Sequence, residues 1–299
     1  MSTVRTTPSS GVSFLVLAGV LWGTGGLLGR MLGDATGLSS LAVATYRLAV
    51  GGLLLLGYLL VTGARLPRSR AAWARIAAVG ALAALFQVAY FTAVSLTSVI
   101  VATLVTIGSS PLLVLLVRPR SADRRSVVAV GSALSGLVLL VGVPTDGGPS
   151  TAALFAGAGC ALTAAAGFTA MSLIGARPVP DLDAMTTTGA GFTLGGALLV
   201  PLAATTSGLA FAPTPAAVGL ALAFGLVPTA VAYTCYFRGL RGAPAGVGVL
   251  MALLEPLTAA LLSVLLLGER LGPAGIAGGL LLGAALVLRA HGQGQDRSA

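Results

Sequence analysis

Along this chain, apolar runs about twenty residues long alternate with short polar breaks. Ten runs stand out: 13–32, 39–61, 74–94, 99–117, 127–143, 151–174, 184–203, 216–236, 245–267 and 273–289. A helix needs about 20 apolar residues, rising about 1.5 Å each, to cross a bilayer, so each run predicts a transmembrane helix. The breaks carry turn-forming residues, as in "PTDGGPS" (144–150), "ARPVPDLD" (176–183) and "FAPTPA" (211–216). None has room for a soluble domain. The first run follows a single arginine and shows no small-residue cleavage site, so it predicts a retained helix and not a signal peptide.

The chain repeats itself. "YFTAV" (90–94) returns as "YFRGL" (236–240), "SSPLLVLL" (109–116) as "LEPLTAAL" (254–261), and "RLAVGGLLLL" (47–56) as "GFTLGGALLV" (191–200), at offsets of 146, 145 and 144 positions. The predicted organisation is two repeats, residues 13–143 (helices one to five) and 151–289 (helices six to ten). Five is an odd number, so the halves enter the membrane from opposite sides. The predicted fold class is therefore an all-α membrane protein of ten transmembrane helices in two inverted five-helix repeats, an architecture of alternating-access transporters with a site near the midplane.

Composition and charge agree with that reading. Of 299 residues, 56% are hydrophobic and 8% charged, and mean hydropathy is +0.99. Soluble domains carry about 25% charged residues, so such a chain belongs in lipid. All 17 basic residues are arginine. They gather in the even-numbered breaks: Arg65, Arg68, Arg70 and Arg75, then Arg118, Arg120, Arg124 and Arg125, then Arg177, then Arg238 and Arg241. The odd-numbered breaks hold only Arg270. By the positive-inside rule both termini are cytoplasmic; the arginine-only usage, with abundant Ala, Gly, Val and Pro, suggests a GC-rich bacterial genome and so a bacterial plasma (inner) membrane. The net charge of +9 sets orientation among membrane lipids and does not call for a nucleic acid. Cys160 and Cys235 form no metal or disulfide pattern, and no cofactor or metal is expected.

Glu255 is the sharpest candidate for chemistry. It lies about ten residues, or about 15 Å, into the ninth run. A carboxylate there costs about 2.5–3.5 kcal/mol and faces a cavity or a partner. Protonation would remove much of that cost, which suits proton coupling; a cationic substrate is an alternative partner, and a neutral acid capping backbone freed by Pro256 is a purely structural one. Arg47, about 12 Å below the outer face, either snorkels outward, pairs with Glu255, or receives a substrate carboxylate. Trp22, Gln87, Tyr90, Tyr233 and Tyr236 are the polar-tipped side chains inside helices one, three and eight; they line a pocket or serve interhelical packing. Pro111 and Pro256 occupy matching positions and Pro228 sits midway along the eighth run, so each is a candidate kink or hinge. Gly275, Gly279 and Gly283, four apart, form a close-packing face, within a monomer or across a homodimer. Glu269 and Arg270 mark a solvated helix boundary.

The stretches "LLEPLTAALLSVLLLGERLGPAGIAGGLLLGAALVL" (253–288), "WGTGGLLGR" (22–30) and "TYRLAVGGLLLL" (45–56) resemble the EamA family of the drug/metabolite transporter superfamily. The resemblance covers about residues 13–289. The first repeat departs from the family's pattern, since Arg124 aligns with Glu269 and no glutamate closes it. Membership implies a secondary active transporter that exports a small metabolite, amino acid or drug-like compound; the export direction comes from the resemblance alone. A flippase for a lipid or lipid-linked sugar fits the same architecture. An enzyme is not expected: the single histidine, His291, lies in the tail, and no Ser–His constellation can form in the core.

Overall fold

A computed structural model of the chain describes residues 8–118, 124–141, 150–206, 208–267, 270 and 272–295. Glu269 and the connector residues 144–149 lie outside the described residues, as do Arg5, Arg120, Asp123 and Arg297 and the side chains of Arg125, Arg289 and His291.

The described chain is helical: α1 (Pro8–Thr36), α2 (Ser40–Val61), α3 (Arg70–Leu96), α4 (Val99–Val117), α5 (Arg124–Val141), α6 (Thr151–Gly175), α7 (Ala184–Thr206), α8 (Pro215–Gly225), a π segment (Leu226–Val231), α9 (Ala232–Leu240), α10 (Ala245–Met251), α11 (Leu254–Leu267) and α12 (Pro273–Gln295). Among the described residues, seven helical stretches are long and apolar enough to cross a membrane, α8 to α9 counting as one and α10 to α11 as another. Val101–Val117, Ser126–Leu140 and Pro273–Leu288 are apolar but shorter.

Polar residues of the breaks start the helices. Ser39, Ser69, Ser98 and Thr214 accept from the backbone N–H three residues on, at 3.1–3.2 Å, which satisfies donors a helix start leaves open. Asp183 does the same for Thr186 at 2.6 Å. Two arginines expected in open loops are tied down instead: Arg75 donates to Arg177 O at 3.0 Å and Arg241 to Leu182 O, holding the α6–α7 connector to α3 and to the end of α9.

Small residues set the packing. α2 crosses α7 where Gly52 lies on the backbone of Phe192 and Thr193 and Gly196 on that of Ala49; a Cβ at Gly196 would sit 2.7 Å from Ala49 N. α5 crosses α12 at Gly136 and Gly278, and a Cβ at Gly136 would sit 2.8 Å from Gly278 O. The remaining large contacts are α3 with α6 and α7, α4 with α6, α1 with α9 and α11, and α2 with α8. Exchanging residues 8–141 for 150–295 maps this pattern onto itself: α3–α6 becomes α9–α1, α4–α6 becomes α11–α1, and α3–α7 becomes α8–α2.

Candidate functional site

Proline chemistry shapes the middle of the helices, in three different ways. Pro256 has no N–H for the carbonyl of Ala252, four residues back. The chain turns at Ala252–Leu253, α10 ends at Met251, and Ala252 O takes the N–H of Glu255 instead, at 3.0 Å. The irregularity therefore falls one turn before the proline, and Glu255 sits in the first turn of α11 directly after it. Pro228 produces the π segment. Its missing donor is replaced by the Thr229 hydroxyl, which donates to Phe224 O at 3.0 Å. Pro111, by contrast, lies within an unbroken α4, so the matched pair Pro111 and Pro256 have different local structures. Pro111 lines a small pocket with Val114, Arg118, Val130, Ala245 and Leu250, between α4, α5 and α10.

Around the α10–α11 break the backbone approaches α1 closely. A Cβ at Gly23 would come within 3.0 Å of Glu255 O, so α1 and α11 meet backbone to backbone beside Trp22. Glu255 is half-buried. Among the described residues its carboxylate has no hydrogen-bond or ion-pair partner. It lies within electrostatic range of Arg47 from α2, Tyr90 from α3 and Tyr233 from α9.

Arg47 reaches from α2 onto the π segment and the end of α8. Its Nε donates to Thr229 Oγ1 at 3.3 Å, its Nη2 lies 3.5 Å from Pro228 O, and its guanidinium is 5.4 Å from the centroid of the Phe224 ring. Among the described residues no ion pair joins it to Glu255. The guanidinium is thus held by neutral groups of the π segment and by Phe224 at the end of α8, while Glu255 has no ion pair among the described residues.

The aromatic candidates divide. Trp22 packs on Tyr233 at 4.8 Å and on Tyr236 at 4.9 Å between ring centroids, and Tyr233 meets Phe192 edge-on at 4.5 Å. Tyr236 is closed off: it is 0% exposed and shares a 2.7 Å hydrogen bond with Ser172, whose hydroxyl donates to Phe168 O. Tyr90 is half-buried and its hydroxyl bonds Thr103 at 2.8 Å. Gln87 is buried, at 3% exposure. The Trp22 indole N–H is buried and has no hydrogen-bond partner among the described residues; such a group is costly unless something else satisfies it. Of the glycine stripe on α12, Gly279 and Gly283 face Leu257 at ordinary contact distance and Gly275 is buried, while the tight approach is made by Gly278.

Thr229, Phe224 and Ser172 contact the candidate residues and were missed by sequence reasoning. The signal for Thr229 was present in "VPTAV": a hydroxyl directly after a mid-helix proline is placed to reach the carbonyl the proline strands.

A profile of the EamA-like transporter family matches residues 9–142 and again residues 152–289. An uncharacterized transporter of Bacillus subtilis (strain 168), YwfM, is 31% identical over 267 residues, covering 87% of this chain and 86% of that protein. An uncharacterized inner membrane transporter of Salmonella typhimurium, YicL, is 26% identical over 269 residues, covering 86% and 87%. A solved crystal structure shares the fold, with a TM-score of 0.78 at 22% identity, over 94% of this chain and 98% of the other.

Proposed function

Because this chain belongs to the EamA-like transporter family, we propose that it is a proton-coupled secondary exporter of a small metabolite, amino acid or drug-like compound, working by alternating access. The observation that carries the reading is Glu255: an acid without a polar partner among the described residues, at a helix break in an apolar span, sharing one interior with Arg47, Tyr90 and Tyr233. Those side chains come from both halves of the chain, as a site at a repeat interface requires. The three shorter apolar helices count as spans in this reading, giving ten, and both termini lie in the cytoplasm of a bacterial cell. The opposite arginine bias of matching breaks supports inversion of the halves, as does the contact pattern that maps onto itself.

The test needs no guess about substrate. Metabolites are compared in the medium of cells overproducing the wild type, Glu255→Gln, or an empty vector. Compounds accumulating outside only with the wild type support export and name the substrate class. No difference between wild type and vector overturns small-solute export and favours a lipid or lipid-linked cargo.

Tyr236 gives a control for the pocket. Its hydroxyl serves Ser172 and packing, so Tyr236→Phe is expected to cost about 0.5–1.5 kcal/mol of stability and to leave export unchanged. Loss of export at unchanged thermal stability would place that hydroxyl on the transport path.

A further inference from the structure

The π segment between α8 and α9 carries a fault and its repair, and Arg47 sits on the repair. Thr229 Oγ1 donates to Phe224 O at 3.0 Å, the carbonyl that Pro228 leaves without a donor. Having given its only proton, the hydroxyl has lone pairs to offer, and Arg47 Nε donates into one at 3.3 Å. Pro228 O and the Phe224 ring complete the seat. Every part of that seat belongs to the π segment or the residues just before it, and π turns inside α-helices recur at functional sites. Thr229 is fully buried and its methyl lies against Gly51, so α2 and α8 are held in register here.

A guanidinium bonded only to neutral acceptors prefers a carboxylate once one is within reach, because charge-assisted bonds are about twice as strong. Glu255 is the candidate carboxylate: a Cβ at Gly23 of α1 would lie 3.0 Å from Glu255 O and one at Gly25, two residues on, 3.7 Å from Arg47 Nη2, and Tyr90 and Tyr233 are the other titratable groups that feel both charges. We infer that Thr229 is a positioning residue that parks Arg47 on the π segment that follows α8, and that transfer of the guanidinium to the Glu255 carboxylate unlatches that segment. The inference rests on Arg47 and Glu255 forming one site. It adds a mechanical link: the charge on Glu255 decides whether α8 is held.

Hydrogen–deuterium exchange of the full chain in lipid nanodiscs tests this without any substrate. The readout is the peptide spanning the π segment, whose exchange reports local opening. Thr229→Val and Arg47→Met should each accelerate its exchange by about tenfold or more. The double variant should be no faster than the faster single one, because both changes remove the same latch. Thr229→Ser, which keeps the hydroxyl, should match wild type. Glu255→Gln should slow exchange below wild type, since the competing acceptor is gone. Unchanged exchange in Arg47→Met, or additive effects in the double variant, would reduce Thr229 to a plug for one carbonyl and overturn the latch. Unchanged or faster exchange in Glu255→Gln would overturn the transfer. The two readings fail separately: a chain that exports nothing but shows this pattern keeps the latch, and one that exports through Glu255 without it loses only the latch.

Discussion

Glu255→Gln is expected to abolish concentrative export while leaving downhill exchange of the same compound measurable. Glutamine keeps the size of the acid and its neutral polarity but cannot take up or release a proton. A proton crossing about 100 mV releases about 2.3 kcal/mol, and about 1.4 kcal/mol is worth tenfold in concentration. One coupled proton therefore sustains about 50-fold accumulation of a neutral solute, and the variant should sustain none. The site geometry sharpens this expectation. Among the described residues Glu255 has no standing ion pair, so its protonation is not blocked by a permanent bond to Arg47, which is held on Thr229 and Pro228. Everted vesicles with an imposed proton gradient, supplied from outside with the compound identified in the medium, give the measurement. Full accumulation by the variant would remove Glu255 from the coupling step; loss of exchange as well would make it a binding residue.

Much of this arrangement was legible in the chain, for reasons that differ residue by residue. The apolar runs located the helices because a membrane leaves the backbone few alternatives. They did not show which faces meet, because lipid-facing and core-facing positions are both apolar: Phe155 is 72% exposed and Leu253 0%, with nothing in the sequence to separate them. "EP" marked a fault in the ninth run, but a proline acts on the carbonyl four residues behind it, so the break lies at Ala252–Leu253. Depth allowed Arg47 and Glu255 to meet but could not show that their helices touch, nor reveal that the guanidinium has neutral partners on a third helix. Matching positions did not guarantee matching structure either. Pro111 stays within a continuous helix, whereas Pro228, which lacks a matching proline, produces the π segment.

Spacing was a weak guide to helix contacts, and here the expected effect of a substitution is large. The four-residue stripe Gly275, Gly279 and Gly283 looked like the packing face, yet Gly279 and Gly283 have ordinary neighbours, and the tightest glycines include Gly52 on α2. A Cβ added at Gly52 would meet the backbone of α7, at 2.7 Å from Phe192 C, and backbone cannot step aside as a side-chain tip can. Gly52→Val is therefore expected to cost at least about 3 kcal/mol, the upper end for overpacking, or about 6–12 °C in thermal midpoint. Gly57, on the same helix, has nothing within 4 Å and is exposed, so Gly57→Val tests the loss of glycine alone and should leave the midpoint near wild type. Thermal unfolding of purified protein in one detergent, followed by its intrinsic tyrosine and tryptophan fluorescence, compares the three. A wild-type midpoint for Gly52→Val would mean that α2 and α7 do not cross at backbone distance. That crossing matters beyond stability, because Arg47 stands just over one turn before Gly52, and any outward shift of α2 at the crossing carries the guanidinium away from Thr229. Gly52→Ala, with a single methyl, is the graded case: it should lower the midpoint less than valine does.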